Sequence, residues 1–242
     1  MIKSIKKLQQ KKYRKEYQQF FVEGVKGVTD LLNSSYEAAA VCIESGREKD
    51  EDIIAIIDIA KEKKVPVQVL PEKDIKQIKS TDTFPGVMGI ANMKEKQGLG
   101  EGHVICLDGV MDPGNLGTII RTADWFGITN IVLSENCVDP YNPKVVRSTM
   151  GSLFHVQLIR DDLETRIGEL KEKGYKTIGL TLDGESLDKL PEGLLCLVLG
   201  SESHGVSKEV KPLLDASYTI PGKGEAESLN VAVAGGIVMS KL

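Results

Sequence analysis

Tyr218–Leu242 reads YTIPGKGEAESLNVAVAGGIVMSKL. A short strand, Tyr218 to Ile220, enters a Pro/Gly loop; the loop ends at Ser228, and a helix of small residues carries the chain to its end. The helix has no charge before Lys241, and a polar cluster (Glu225, Glu227, Ser228, Asn230) sits at its start. Ser228 or Glu227 is placed to cap the helix, with Asn230 pointing elsewhere. So apolar a terminal helix behind a glycine turn predicts a C-terminus buried in a working site.

Working back from this stretch, strands and helices alternate, which predicts a parallel sheet covered by helices on both faces. His103 to Leu107 (HVICL) and Leu194 to Leu199 are almost wholly apolar, as parallel strands buried on both sides are. Further strands are expected at Ile131 to Leu133, Phe154 to Leu158 and Lys176 to Leu180, ending in Thr181. Helices are expected at Asn115 to Phe126, from Pro143 to Met150, at Leu163 to Lys173 and at Lys208 to Leu214. The N-terminal part is a second, smaller α/β unit. It opens with a basic helix over residues 3–18 and continues through a strand at Phe20 to Val22, a helix through Val25, Val28, Leu31 and Leu32, and a strand at Ala38 to Ile43. An amphipathic helix at Asp50 to Lys64, a strand at Val65 to Leu70, a short helix at Pro71 to Lys79 and a strand at Val87 to Ala91 complete it. Between the units, KEKQGLGEG (Lys94 to Gly102) has the composition of a linker. The expected organisation is a domain over 1–93, a linker over 94–102 and a domain over 103–242.

Of the 242 residues, 41% are apolar and 27% charged, and the net charge is −4, so bulk charge points to no nucleic-acid partner. Its distribution does: Lys3, Lys6, Lys7, Lys11, Lys12, Arg14 and Lys15 all precede the first acid, Glu16. Such a block can touch phosphates, and equally it can be a solvated helix face. The four cysteines are far apart and fit neither a zinc site nor a disulfide framework. No metal is expected. No apolar stretch reaches a membrane span, the basic N-terminus is not followed by a signal-peptide core, and a cytoplasmic protein is expected.

Three loops carry unusual chemistry at strand ends, where such sheets bind ligands. In DGVMDPGNLGTIIR (Asp108 to Arg121), glycines allow close backbone approach, and Asn115 and Arg121 are spaced to face a common region. GSESHGVS (Gly200 to Ser207) offers backbone N–H groups and Glu202. Its SESHG is one glycine short of a nucleophile elbow, but a hydrolase also needs a downstream histidine, and His204 adjoins Ser203. The third loop is the opening stretch. Nucleotide P-loop, dinucleotide-fold and zinc-protease signatures are absent.

Taken together and in this order, the loops resemble the SpoU class of SPOUT RNA methyltransferases. NLGTIIRTADWFG (Asn115 to Gly127), LVLGSESHGVS (Leu197 to Ser207) and IPGKGEAESLNVAVAGGIVMS (Ile220 to Ser240) are similar to its three motifs. FVEGVKGVTDLL (Phe21 to Leu32) resembles the opening of its N-terminal domain, which is similar to a small ribosomal RNA-binding protein. The departures are Ser201 where Asn is usual, His204 where Gly is common, Gly222 where Met is frequent, and a short ending that leaves less material for a dimer-forming helix. The resemblance implies a deep trefoil knot, a homodimer with the active site near its interface, and S-adenosylmethionine held by Thr181, Leu199, Gly200, Gly205, Ile220, Ser228 and Leu229. It implies methyl transfer to a ribose 2′-hydroxyl of RNA, ribosomal RNA in particular. Asn115, Arg121, Glu202, Ser228 and Asn230 are then the catalytic set: Arg121 pins a phosphate, Asn115 and Asn230 orient the hydroxyl and Arg121, Glu202 fixes Arg121 or a neighbouring Asn, and Ser228 holds the hydroxyl or the loop. A knotted RNA binder without catalysis, and a tRNA or base methyltransferase, are the alternatives.

Overall fold

A computed structural model describes residues 2–80, 84–94 and 98–242. The chain forms two compact units, Met1–Glu95 with Asp139–His155, and Lys96–Val138 with Val156–Leu242. Of the linker expected over 94–102, residues 95–97 lie outside the described residues.

In the first unit, α1 (Ile2–Lys7) and α2 (Lys11–Tyr17) replace the single basic helix expected over 3–18. The break is explained by Arg14, which is buried. Its Nη1 donates to the carbonyls of Leu8 (2.9 Å) and Gln9 (3.0 Å), groups a continuous helix would have used internally. Nε and Nη2 both donate to Asp139, the latter at 2.6 Å. Next come β1 (Gln19–Glu23), α3 (Val25–Asn33), β2 (Ala38–Glu44), α4 (Glu51–Glu62), β3 (Val67–Leu70), α5 (Glu72–Ile78) and β4 (Val87–Asn92). Acids in its first turn and Lys61 in its last suit α4 to the helix dipole. Ile53, Ile56 and Ala60 bury one seam of α4, while Ile54 faces solvent. Among the described residues the sheet order is β1-β4-β2-β3, antiparallel except for β2 against β3.

Asp139–His155 packs with these N-terminal residues although it falls within 103–242. Its Tyr141 and Phe154 lie against Phe20, with ring centroids 4.6 and 6.2 Å away, and Phe154 meets Tyr36 edge-on at 5.3 Å. Phe154 is therefore held in a buried 3₁₀ turn (Ser152–Phe154) and not in the strand expected from it to Leu158.

The second unit contains β5 (Val104–Leu107), α6 (Pro113–Trp125), β6 (Asn130–Leu133), β7 (Gln157–Arg160), α8 (Leu163–Glu172), β8 (Lys176–Ser186), β9 (Leu195–Leu199), β10 (Ala216–Thr219) and α9 (Val231–Met239); α7 (Pro143–Ser148) belongs to the segment just described. The parallel sheet expected from the apolar strands forms, in the order β10-β8-β9-β5-β6-β7. Every residue of β5, β6 and β9 is buried. In place of the helix expected over Lys208 to Leu214 there is a 3₁₀ turn, Lys211–Leu213, with Pro212 at its centre unable to donate an N–H. β8 is longer than expected. It pairs with β9 as far as Gly179, and against β10 the register then jumps from Ser217↔Gly179 to Tyr218↔Glu185, so that Leu180 to Gly184 bulge out.

Candidate active site

The carboxyl edge of the parallel sheet carries the three loops. After β5, Asp112 caps α6 by accepting the Asn115 N–H at 2.9 Å, and Pro113 occupies the first turn, where its missing N–H costs nothing. This fixes Asn115 one turn into the helix. After β9, the chain doubles back at once. Ser201 and Gly205 exchange backbone hydrogen bonds, both 2.9 Å, and a Cβ on Gly200 would lie 2.0 Å from the carbonyl carbon of Gly205. Glycine is thus required at position 200, and Glu202 stands at the tip of the turn. After β10, residues 221–230 are all exposed, and α9 begins only at Val231.

The cap of α9 is Asn230, and this corrects the assignment of that role to Ser228 or Glu227. Asn230 Oδ1 accepts the N–H groups of Ala232 (2.9 Å) and Val233 (3.3 Å). The amide oxygen is thereby committed to the helix and the NH₂ turned outward. That NH₂ donates to Asn115 Oδ1 at 2.9 Å, and the Asn115 NH₂ in turn donates to Glu202 Oε1 at 2.5 Å. Three loops are joined in one directed chain: helix N–H, Asn230, Asn115, Glu202. Each amide keeps one N–H in hand, and Glu202 keeps Oε2. Asn115 is half-buried, whereas Asn230 and Glu202 are exposed.

Arg121 is not drawn into this chain. It is exposed and, among the described residues, makes no hydrogen bond or ion pair. Six residues on from Asn115, it lies about 9 Å further along the axis and about 120° round the helix. Glu202 therefore fixes a neighbouring Asn, not Arg121. Ser228 is likewise exposed and without a partner among the described residues. The exposure of 221–230 also overturns the expectation of a buried C-terminal loop: Ala232, Gly235, Val238 and Met239 are buried, but the polar cluster before them is in solvent.

The remaining candidates line adjacent strand ends. Thr181 lies in the bulge of β8, Leu199 and Gly200 end β9, and Ile220 follows β10; β8 is flanked by the other two strands. Two leucines beside them are left in water, Leu182 at 76% and Leu229 at 49% exposure. α9 packs parallel to α6: Asn230 meets Asn115 at one end, and a Cβ on Gly236 would lie 3.5 Å from Thr122 further along. A Cβ on Gly235 would come within 2.7 Å of Leu199, so the small residues of α9 let it settle on the end of β9.

One contributor escaped the reading of the sequence. Asp108, directly after β5, accepts the Ser207 N–H at 2.7 Å and so holds the far end of the Gly200 turn. An acid at the carboxyl end of an apolar parallel strand was the signal for it. A cavity of about 510 Å³ lined by His103, Pro191, Leu195 and Lys241 lies at the opposite, amino edge of the sheet and contains none of these residues. Among the described residues no group of His, Cys, Asp or Glu could hold a metal ion, and no helix is long and apolar enough to cross a membrane.

Known proteins share this fold. The profile of the SpoU rRNA Methylase family matches residues 102–240, and that of the MRM3-like substrate binding domain matches residues 1–89. The 23S rRNA (guanosine(2553)-2′-O)-methyltransferase RlmP of Bacillus subtilis (strain 168) is 32% identical over 100% of the chain and 95% of its own length. A structure of a putative RNA methyltransferase of the TrmH family from Porphyromonas gingivalis superposes with a TM-score of 0.86 at 35% identity, covering 99% of this chain and 95% of that one. An AdoMet-bound rRNA methyltransferase from Sinorhizobium meliloti does so with a TM-score of 0.86 at 31% identity, covering 99% and 92%. The chain belongs to the SpoU rRNA methylase family.

Proposed function

We propose that this protein transfers a methyl group from S-adenosylmethionine to a ribose 2′-hydroxyl of ribosomal RNA. The observation that carries the proposal is the directed chain from Asn230 through Asn115 to Glu202, at the carboxyl edge of a parallel sheet in a SpoU family member.

The residues at the strand ends fit the cofactor. An adenosine needs apolar contact and backbone polar groups, and the exposed Leu182 and Leu229 and the turned-back backbone of Gly200 to Val206 offer these two kinds of group. Thr181, Leu199, Gly200, Gly205, Ile220, Ser228 and Leu229 would hold it. When bound, it supplies an electrophilic methyl on a sulfonium. The protein's task is to orient the attacking hydroxyl and dispose of its proton. Asn115, immobilised from both sides, presents its spare N–H to the ribose. Arg121, uncommitted, would bind the adjacent phosphate and polarise the hydroxyl, and that phosphate oxygen would take the proton the hydroxyl gives up. Ser228 closes the loop over the hydroxyl.

A homodimer belongs to the same reading. Trp125 (83% exposed) and Phe126 at the end of α6, with Val233 on α9, leave apolar surface along this helix pair that a second copy would cover. So does a deep trefoil knot, which the close seating of Gly235 on Leu199 supports. The cytoplasm is the compartment that goes with this reading.

The test is transfer of labelled methyl from S-adenosylmethionine into ribosomal RNA, followed by alkaline hydrolysis. A 2′-O-methyl blocks cleavage at the modified nucleotide; a label at a cleavable nucleotide would overturn the ribose assignment. Arg121→Ala and Arg121→Lys should both lose transfer, and near-normal rates in both would remove Arg121 from the mechanism.

A further inference from the structure

The basic block at the N-terminus is not absorbed by the reaction above. Its lysines surround two tyrosines. Tyr13 and Tyr17, one turn apart on α2, have ring centroids 5.9 Å apart and tilted by 33°. Lys7 Nζ lies 4.8 Å from the centre of the Tyr13 ring and 5.9 Å from that of Tyr17, whose hydroxyl accepts from it at 3.1 Å. Lys12 Nζ lies 5.6 Å from the centre of the Tyr13 ring. The helix holds itself to the unit by another face, through buried Arg14, while Tyr17 packs partly on the core formed by Ile5, Leu8 and Phe21.

Ion pairing within the fold does not account for the cations. Lys3, Lys6, Lys7, Lys11, Lys12 and Lys15 are all exposed, and among the described residues none forms an ion pair. Lys3 and Lys7 within α1, and Lys11 and Lys15 within α2, are like charges at i,i+4, a spacing that destabilises a helix. A polyanion would relieve that repulsion. The rings narrow its identity: Tyr13 is half-buried and Lys7 lies over its ring, so a base whose own face is free would take the place of that ammonium on the ring, with the phosphates on either side reaching the lysines. In a duplex the base faces are stacked on one another and out of reach.

We infer that α1 and α2 form a binding site for an unpaired stretch of the substrate RNA, with a base stacked on Tyr13 and its flanking phosphates held by Lys7, Lys11 and Lys12. The inference rests on RNA being the substrate, and it names the part of that RNA which the N-terminal unit holds.

Fluorescence anisotropy with a labelled single-stranded oligouridylate of a dozen nucleotides, and with the same strand annealed to oligoadenylate, tests it. The single strand should bind more tightly than the duplex. Tyr13→Ala should weaken single-strand binding about tenfold, since stacking on an aromatic side chain is worth ~1–3 kcal/mol per base and tenfold is 1.4. Tyr13→Phe, which keeps the ring, should bind within about twofold of the parent, and this shows that the site and not folding is being read. Lys12→Gln should lower the slope of log affinity against log salt by about 0.7. In methyl transfer, Tyr13→Ala should raise KM for RNA and leave kcat unchanged. Parental affinity in Tyr13→Ala, equal weakening in Tyr13→Phe, or equal binding of duplex and single strand would each overturn the site. Were the parent to transfer no methyl yet bind with this pattern, the proposed reaction would fall and the binding site stand.

Discussion

Two polar networks in this protein use the same chemistry for opposite ends. In the first unit, Arg14 gathers the carbonyls of Leu8 and Gln9 and the carboxylate of Asp139, with its side chain 2% exposed and that of Asp139 13% exposed. In the second unit, Asn230, Asn115 and Glu202 form a chain of similar length whose ends lie in water. Both tie distant segments together: residues 14 and 139 in one, 115, 202 and 230 in the other. The difference is burial, and it decides what each network is for. A buried charge is tolerable only while its partner remains, so the first network holds a fold. Groups at the surface retain spare donors and acceptors that water can satisfy until something else does, so the second can hold a substrate.

The largest expected effect is Arg14→Met. It leaves Asp139 Oδ2 and two carbonyls without their donor, and breaking a buried pair in this way costs about 3–5 kcal/mol. Urea denaturation measures it; a loss below about 1 kcal/mol, the surface value, would erase the contrast between the networks. Glu202→Ala comes next and should separate the two quantities. Methyl transfer should fall about a hundredfold as Asn115 loses its orientation. Stability should stay within about 0.5 kcal/mol of the parent, as for other exposed substitutions. An equal loss of both would make the second network structural like the first.

The two networks also differ in how far they could be read from the residues. The apolar runs HVICL and LCLVL declare buried parallel strands because nothing but burial on both faces explains them, and the three motif loops follow from where those strands end. The break between α1 and α2 was not legible. Leu8 to Gln10 carries nothing that ends a helix, and the chain breaks there around the carbonyls that Arg14, buried against Asp139 125 positions away, takes up. Phe154 misled for the same reason: it is a good strand residue that a distant aromatic, Phe20, holds in a turn. At the site, the loops were legible but not the wiring. AESLN (Ala226 to Asn230) places Ser228, Glu227 and Asn230 within reach of a helix start, and local spacing does not choose among them. The choice falls to Asn230, whose amide both accepts from the helix and donates to Asn115; an ionised Glu227 has no donor to give, and Ser228 makes neither bond.

Asn230 belongs to both kinds of network, and it offers the finest test of the comparison. As a cap it stabilises α9; as a donor it orders Asn115. Asn230→Ala removes both functions and should cost about 1 kcal/mol in denaturation, the usual worth of a cap. Asn230→Asp separates them. The carboxylate still accepts from Ala232 and Val233, and its charge at a helix N-terminus adds about 0.3–1 kcal/mol, so stability should equal or exceed that of the parent. It has no N–H to give, however, and sets an anion against Asn115 Oδ1. Methyl transfer should therefore fall in a protein at least as stable as the parent. Full activity in Asn230→Asp would mean that Asn230 serves the fold alone, and that Asn115 is ordered by Glu202 without it.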